Sequence, residues 1–168
     1  MRNIVWAFVV IVAALVHTTW PDFLKIQGVT PDLVLMVVVY FAIVAGEERA
    51  MFTGALGGIY QDVASKAILG HNILCLVVVG YAVGRISTRL VTDHPAVKAG
   101  LVLLAGIAQG VLYTVIAYIR SPSDTPFIAL VVGDVVPASF YTALITPLVF
   151  MVLDKIFGDR KKAQGSTA

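Results

Sequence analysis

Six transmembrane helices with both termini in the cytoplasm, an all-α polytopic fold, are predicted from three observations. The chain of 168 residues is 59% hydrophobic and only 13% charged, where a soluble domain carries about 25% charged residues. Its mean hydropathy is +0.92, and the apolar residues fall in long uninterrupted blocks rather than on amphipathic faces. Its basic residues, finally, collect on alternate connections between those blocks. This length and composition leave room for one membrane domain (1–157) and a short tail, not for a second soluble domain. A hyper-apolar soluble bundle is the alternative that the composition disfavours.

A helix needs about 20 apolar residues to cross roughly 30 Å of hydrocarbon. The first block, 4–20, fits that need and ends on Trp20, an interfacial residue, and Pro21, which stops a helix. Arg2 and the apolar run behind it have the look of a signal peptide, but the stretch His17 to Pro21 is no small-residue cleavage site. A retained helix is expected. Residues 21–30 form a loop, and Thr30-Pro31-Asp32 opens the second helix (31–45), with Thr30 as cap and Pro31 in the first position. That helix is short, and Gly46-Glu47-Glu48-Arg49 ends it. The third (50–64) is glycine-rich, and the fourth (72–88) follows a turn at Gly70-His71-Asn72. The fifth (96–119) is long enough to span with tilt.

The last region, 127–157, is too long for one upright helix, and Pro137 divides it. The sixth span is placed at 134–157, with Asp134 as a candidate cap. The preceding residues read equally as an interfacial or re-entrant piece or as extra turns of a kinked helix. Residues 158–168 are polar and read as a disordered cytoplasmic tail.

Charge tests the orientation. With the N-terminus inside, the inner segments hold Arg2, Arg49, Arg85, Arg89, Lys98, Lys155, Arg160, Lys161 and Lys162, and the outer loops hold Lys25, Lys66 and Arg120. That is 9 against 3 of the 12 basic residues, the bias expected of cytoplasmic loops. A net charge of +2 is too small to argue for nucleic acid. Cys75, alone of its kind, can form no internal disulfide and reads as a small buried apolar residue.

Between membrane helices, association depends on close backbone approach at small residues. Three GxxxG pairs occur, Gly54–Gly58, Gly80–Gly84 and Gly106–Gly110. A step of four drifts slowly round a 3.6-residue helix, so Gly46, Ala50, Gly54, Gly58 and Asp62 make one stripe, and Asn72, Leu76, Gly80 and Gly84 another. Packing within the chain is the plainer use of these stripes, and a groove for a partner helix is the sharper one. Asp62 and Asn72 end the two stripes on the outer side, where a costly carboxylate needs a partner. A polar clamp on the hairpin is expected there, rather than a proton relay, which would need further charges across the bilayer. His17, His71 and His94 have no metal-ligand spacing, and no catalytic or phosphate-binding pattern occurs. Neither an enzyme nor a cofactor is expected.

The order of several pieces resembles the MreD family of rod shape-determining membrane proteins. They are Pro31-Asp32-Leu33, the run from Gly54 to Asp62, Leu69-Gly70-His71-Asn72-Ile73-Leu74, Gly80-Tyr81-Ala82-Val83-Gly84, and Pro137 to Leu144 with Pro147 after it. Asp134, Pro137, Tyr141 and Thr142 form the final-helix motif, with Thr142 standing where the family often has Asn. The resemblance implies a non-catalytic scaffold of the elongation complex in the bacterial cytoplasmic (inner) membrane. Its implied partners are MreC and the glycosyltransferase–transpeptidase pair that builds lateral peptidoglycan, with MreB filaments as an indirect one. A homodimer is compatible with it. The resemblance also implies a fold similar to the substrate-binding S components of energy-coupling-factor transporters, which makes a vitamin-binding subunit the alternative. Against that alternative, the AxxxA docking pattern is missing from the first helix, where Ile11 follows Ala7 and His17 follows Ala13. Outer polar groups (Asp22, Gln27, Asp62, His71, Asn72, Asp124, Asp134) are compatible with a pocket.

Overall fold

The computed structural model describes residues 2–19, 30–64, 70–89, 94–120 and 125–157. The loop 21–30 up to Val29, the outer Lys25 and Lys66, Leu69 and the tail 158–168 lie outside the described residues. The helices are α1 (Arg2–Thr18), α2 (Leu33–Ala45), α3 (Glu47–Ala64), α4 (His71–Ser87), α5 (Pro95–Arg120), α6 (Phe127–Leu130) and α7 (Val136–Phe157). A π-helical turn, Val131–Val135, joins α6 to α7, so these three form one continuous stretch, Phe127–Phe157. Among the described residues, six helical rods alternate in direction, and both Asn3 and Phe157 come to the end of the bundle where Arg49, Ser87 and Lys98 lie.

α2 is the axis of the bundle. All nine side chains from Val34 to Ala42 are buried, and α1, α3, α4, α5 and α7 all pack on it. A helix that is apolar on every side has no face for water and belongs in a core. At 13 residues it is about 20 Å long, and its ends are closed by other parts of the chain. Asp32, not Thr30, is the N-cap: its Oδ1 accepts from Leu35 N at 2.9 Å, so the helix starts at Leu33. At the other end the Ser87 hydroxyl donates to the Ala42 carbonyl at 3.2 Å. Tyr40 meets Phe41 and Phe150 edge-on with centroids 5.5 and 5.4 Å apart, and Phe41 meets Phe157 at 5.2 Å.

Gly46, at φ +86°, turns the chain from α2 directly into α3. Glu47, Glu48 and Arg49 therefore form the first turn of α3 rather than a connection, where the two acids oppose the helix dipole. α1 is pinned to α3 by Trp6, whose indole N–H donates to Thr53 Oγ1 at 2.9 Å. The Arg49 guanidinium lies 4.8 Å over the same indole ring and donates to Asn3 at 2.9 Å.

Asp134 does not cap a helix. It sits inside the π turn, where Val136 N–H bonds the Val131 carbonyl, five residues back. The proline ring at Pro137 would clash with the carbonyl four residues earlier in a regular helix. The wider turn passes that point without a break, so 127–136 is helical and runs directly into α7.

Among the described residues, two stretches, Pro95–Arg120 and Phe127–Phe157, are long and apolar enough to cross a membrane. The bundle surface carries a broad apolar belt: Ile4, Phe8, Phe52, Leu104, Phe140, Leu144 and Met151 each expose more than half of their surface. A soluble monomer seldom leaves contiguous apolar surface of this extent open.

Candidate functional site

The glycines form two interfaces of different build. A Cβ at Gly54 would stand 2.7 Å from the Leu76 carbonyl oxygen, and one at Gly58 would stand 2.6 Å from Ile73 Cα. From the other side, a Cβ at Gly84 would stand 2.5 Å from Glu47 Cα and one at Gly80 would stand 3.1 Å from the Ala50 backbone. α3 and α4 thus meet backbone to backbone along both stripes, the closest pairing in the bundle. A partner helix has no room in that groove, because α4 fills it. The third pair points elsewhere. Gly106 faces Ser139 and Gly110 faces Val135 of the α7 region, side chain rather than backbone.

Asp62 closes the α3–α4 pair. It is 1% exposed, and its Oδ1 accepts from Asn72 N and Asn72 Nδ2, both at 2.9 Å. Its Oδ2 accepts from Gly70 N at 2.7 Å and, weakly, from Ile73 N at 3.4 Å. These are first-turn N–H groups of α4, which have no partner inside their own helix. Gly70 takes φ +105°, a left-handed conformation that aims its N–H back at the carboxylate. The charge is therefore spent on a helix N-terminus, with the dipole and the hydrogen bonds acting in the same direction.

A second carboxylate, Asp32, gathers more of the chain. Besides capping α2, its Oδ1 accepts from Gln61 Nε2 at 3.3 Å, and its Oδ2 accepts from Gln109 Nε2 at 3.0 Å. Its own N–H donates to Thr142 Oγ1 at 3.1 Å, while the Thr142 hydroxyl donates to the Ala138 carbonyl at 2.7 Å. α2, α3, α5 and α7 thus meet at one residue. Sequence reading picked out Asp32 only as part of a helix start and passed over Gln61 and Gln109. The signal was present, since Gln109 is an amide in the middle of a 26-residue apolar helix.

Beside Asp32 lies a cavity of about 420 Å³, walled mainly by α5 and α7. A neighbouring cavity of about 380 Å³ shares His17, Asp32, Gln109 and Tyr113 with it. Of the final-helix motif, Thr142 and Asp134 line the larger cavity; Pro137 is exposed and Tyr141 half-buried. Gly106 and Gly110 line it too. His71 stacks on Tyr113 with centroids 4.1 Å apart, tying α4 to α5 at the same end of the bundle. Among the described residues, no group of three His, Cys, Asp or Glu side chains is placed to hold a metal.

No curated protein and no solved structure matches the chain. A family model described as "rod shape-determining protein MreD" matches residues 1–157. That family consists of membrane proteins that determine cell shape and is not known for enzymatic activity. With this match over nearly its whole length, the chain belongs to the MreD family.

Proposed function

We propose that this protein is a six-span scaffold of the bacterial inner membrane, termini inside, that holds the transmembrane helix of MreC. In that role it supports lateral peptidoglycan synthesis by the glycosyltransferase–transpeptidase pair linked to MreB. Family membership is the observation that carries the reading. The apolar belt and the 9 to 3 division of basic residues support insertion with this orientation.

With the α3–α4 groove filled, the surface best suited to a partner helix is the trough between α1 and α7. These helices flank α2 without pairing with each other. The trough holds about 320 Å³, with Phe8, Val12 and Val16 on one wall, Leu148 and Val152 on the other, and Val37 in its floor. Its lining is almost wholly apolar, as a single-span helix without charges requires.

The test uses a Cys75→Ala background carrying one new cysteine, at Val12, Val152 or, as control, Leu104 on α5. Co-expressed MreC carries a cysteine in its membrane helix. Crosslinks at Val12 and Val152 but not at Leu104 are expected. MreC that co-purifies but crosslinks only at Leu104 moves the site off the trough. MreC that does not co-purify at all removes the partner reading itself.

A further inference from the structure

The two sides of the bundle differ in height. Asp32 marks a common level on the outer side, because Gln61 of α3, Gln109 of α5 and Thr142 of α7 all bond to it. Asn72 of α4 joins that level through Asp62, the neighbour of Gln61. Inward from there, charges recur at nearly one depth. Arg49 on α3, Arg85 on α4, Lys98 on α5 and Asp154 on α7 each lie about 16–20 Å away at 1.5 Å per residue. Outward, the helices part company. Among the described residues, α3 stops at Ala64 and α4 starts at His71, within a turn of the common level. α5 runs on for about 16 Å to Arg120, and the stretch that becomes α7 begins about 22 Å out, at Phe127.

Exposed apolar side chains repeat the contrast. They extend from Ile4 to Val16 on α1, from Phe52 to Val63 on α3 and from Leu74 to Ile86 on α4, about 16–18 Å each. From Ile128 to Ile156, through the π turn and α7, they extend about 40 Å. The charges Asp22 and Lys66 follow α1 and α3 within a turn's length of sequence, so the apolar runs of those helices end there. α1, α3 and α4 follow one another round α2, which sets the short stripes side by side, while α5 and α7 pair on the other side.

Bilayer hydrocarbon is about 30 Å thick. That thickness fits the α5–α7 side, where Asp134 and Asp154 stand about 30 Å apart along the helix. On the other side it would reach about 10 Å past Gln61, Asp62, His71 and Asn72. It would also cover the cavity lined by His17, Asp32 and Asn72. Polar groups at such a depth are costly. A bilayer meets a short apolar face by thinning, at a modest cost per ångström.

We propose that the α1–α3–α4 side is a membrane-thinning surface. Its partner is the outer lipid leaflet, drawn down by about 10 Å beside it, while lipid against α5 and α7 keeps its full thickness. The proposal rests on the membrane reading above and does not depend on where MreC sits.

The experiment uses the full-length protein with Cys75→Ala and one nitroxide-labelled cysteine at a time, in dioleoylphosphatidylcholine bilayers. Val63 and Phe140 lie equally far outward of Gln61 and Thr142, and Phe52 and Met151 equally far inward. All four expose more than half of their surface. Depth below the headgroups is read from collisions with oxygen against collisions with a water-soluble nickel chelate. The label at Val63 should lie nearer the headgroups than that at Phe140 by at least about 5 Å, with the inner pair equally deep. In dimyristoleoylphosphatidylcholine, whose hydrocarbon is thinner, the outer difference should shrink. Equal depths in the outer pair, or a difference that ignores chain length, overturn the proposal. So does a rigid tilt, which gives the inner pair a difference of opposite sign. Labels at Val63 and Phe52 shielded from both reagents mean that protein covers this face, which overturns it too. If all four labels report water, the membrane reading itself fails. Cys75 is fully buried, so it can stay in place, unlabelled, if its replacement harms folding.

Discussion

The α3–α4 and α5–α7 interfaces start from the same sequence device and end as different objects. Both carry GxxxG glycines on a helix that meets an antiparallel neighbour. In α3–α4, glycines on both helices bring backbone within van der Waals distance of backbone, and the buried Asp62 locks the turn end. In α5–α7 only α5 supplies the glycines, and they meet Ser139 and Val135 across a π turn. The first pair is sealed; the second leaves a cavity floored by Asp32 and Gln109. Reciprocal small residues close an interface, whereas one-sided small residues opposite side chains leave room beside them.

This contrast breaks most sharply at Gly54 and Gly58. Leucine at either must displace the α4 backbone, which cannot rotate away, so a loss of at least about 3 kcal/mol is expected. The readout is failure to recover monodisperse protein, or a large drop in the unfolding midpoint. Wild-type behaviour in both would mean that α3 and α4 are not in backbone contact. Next in size is Asp62→Ala, which strands first-turn N–H groups of α4 in a buried site. It should lose about 2–4 kcal/mol, with Asp62→Asn recovering part, both read by thermal unfolding in detergent. The smallest effect belongs to the other interface. Gly106→Ala meets the Ser139 side chain at 2.9–3.0 Å, and a shift of a few tenths of an ångström accommodates it. A change of about 1 kcal/mol or less is expected. A larger loss there than at Gly58→Ala would invert the comparison.

Much of this architecture can be read along the chain because hydropathy and glycine spacing are local quantities. The break at Gly46, the GxxxG stripes and the two proline positions all sit in the amino-acid order. Where local reading went astray, a local rule lost to a neighbour in space. Thr30 is an adequate cap by type, but Asp32 prevails because its carboxylate is also wanted by two amides from other helices. Asp134 before a proline reads as a helix start, but packing of α5 on the π turn keeps the helix running through it. The second apolar block, short for a crossing, is short because it lies inside the bundle and its ends are closed by Asp32 and Ser87.

By itself, then, the amino-acid order determined an all-helical, apolar chain of six helical runs, with its small residues in stripes. Each of those properties depends on residues within a turn or two of one another. Only the tertiary structure decided which run became the axis, which stripe was filled, and which carboxylate became the hub. Asp32 meets Gln109 and Thr142 across 77 and 110 positions. Contacts of that reach have no periodic signature along the chain; they exist only once the helices have packed.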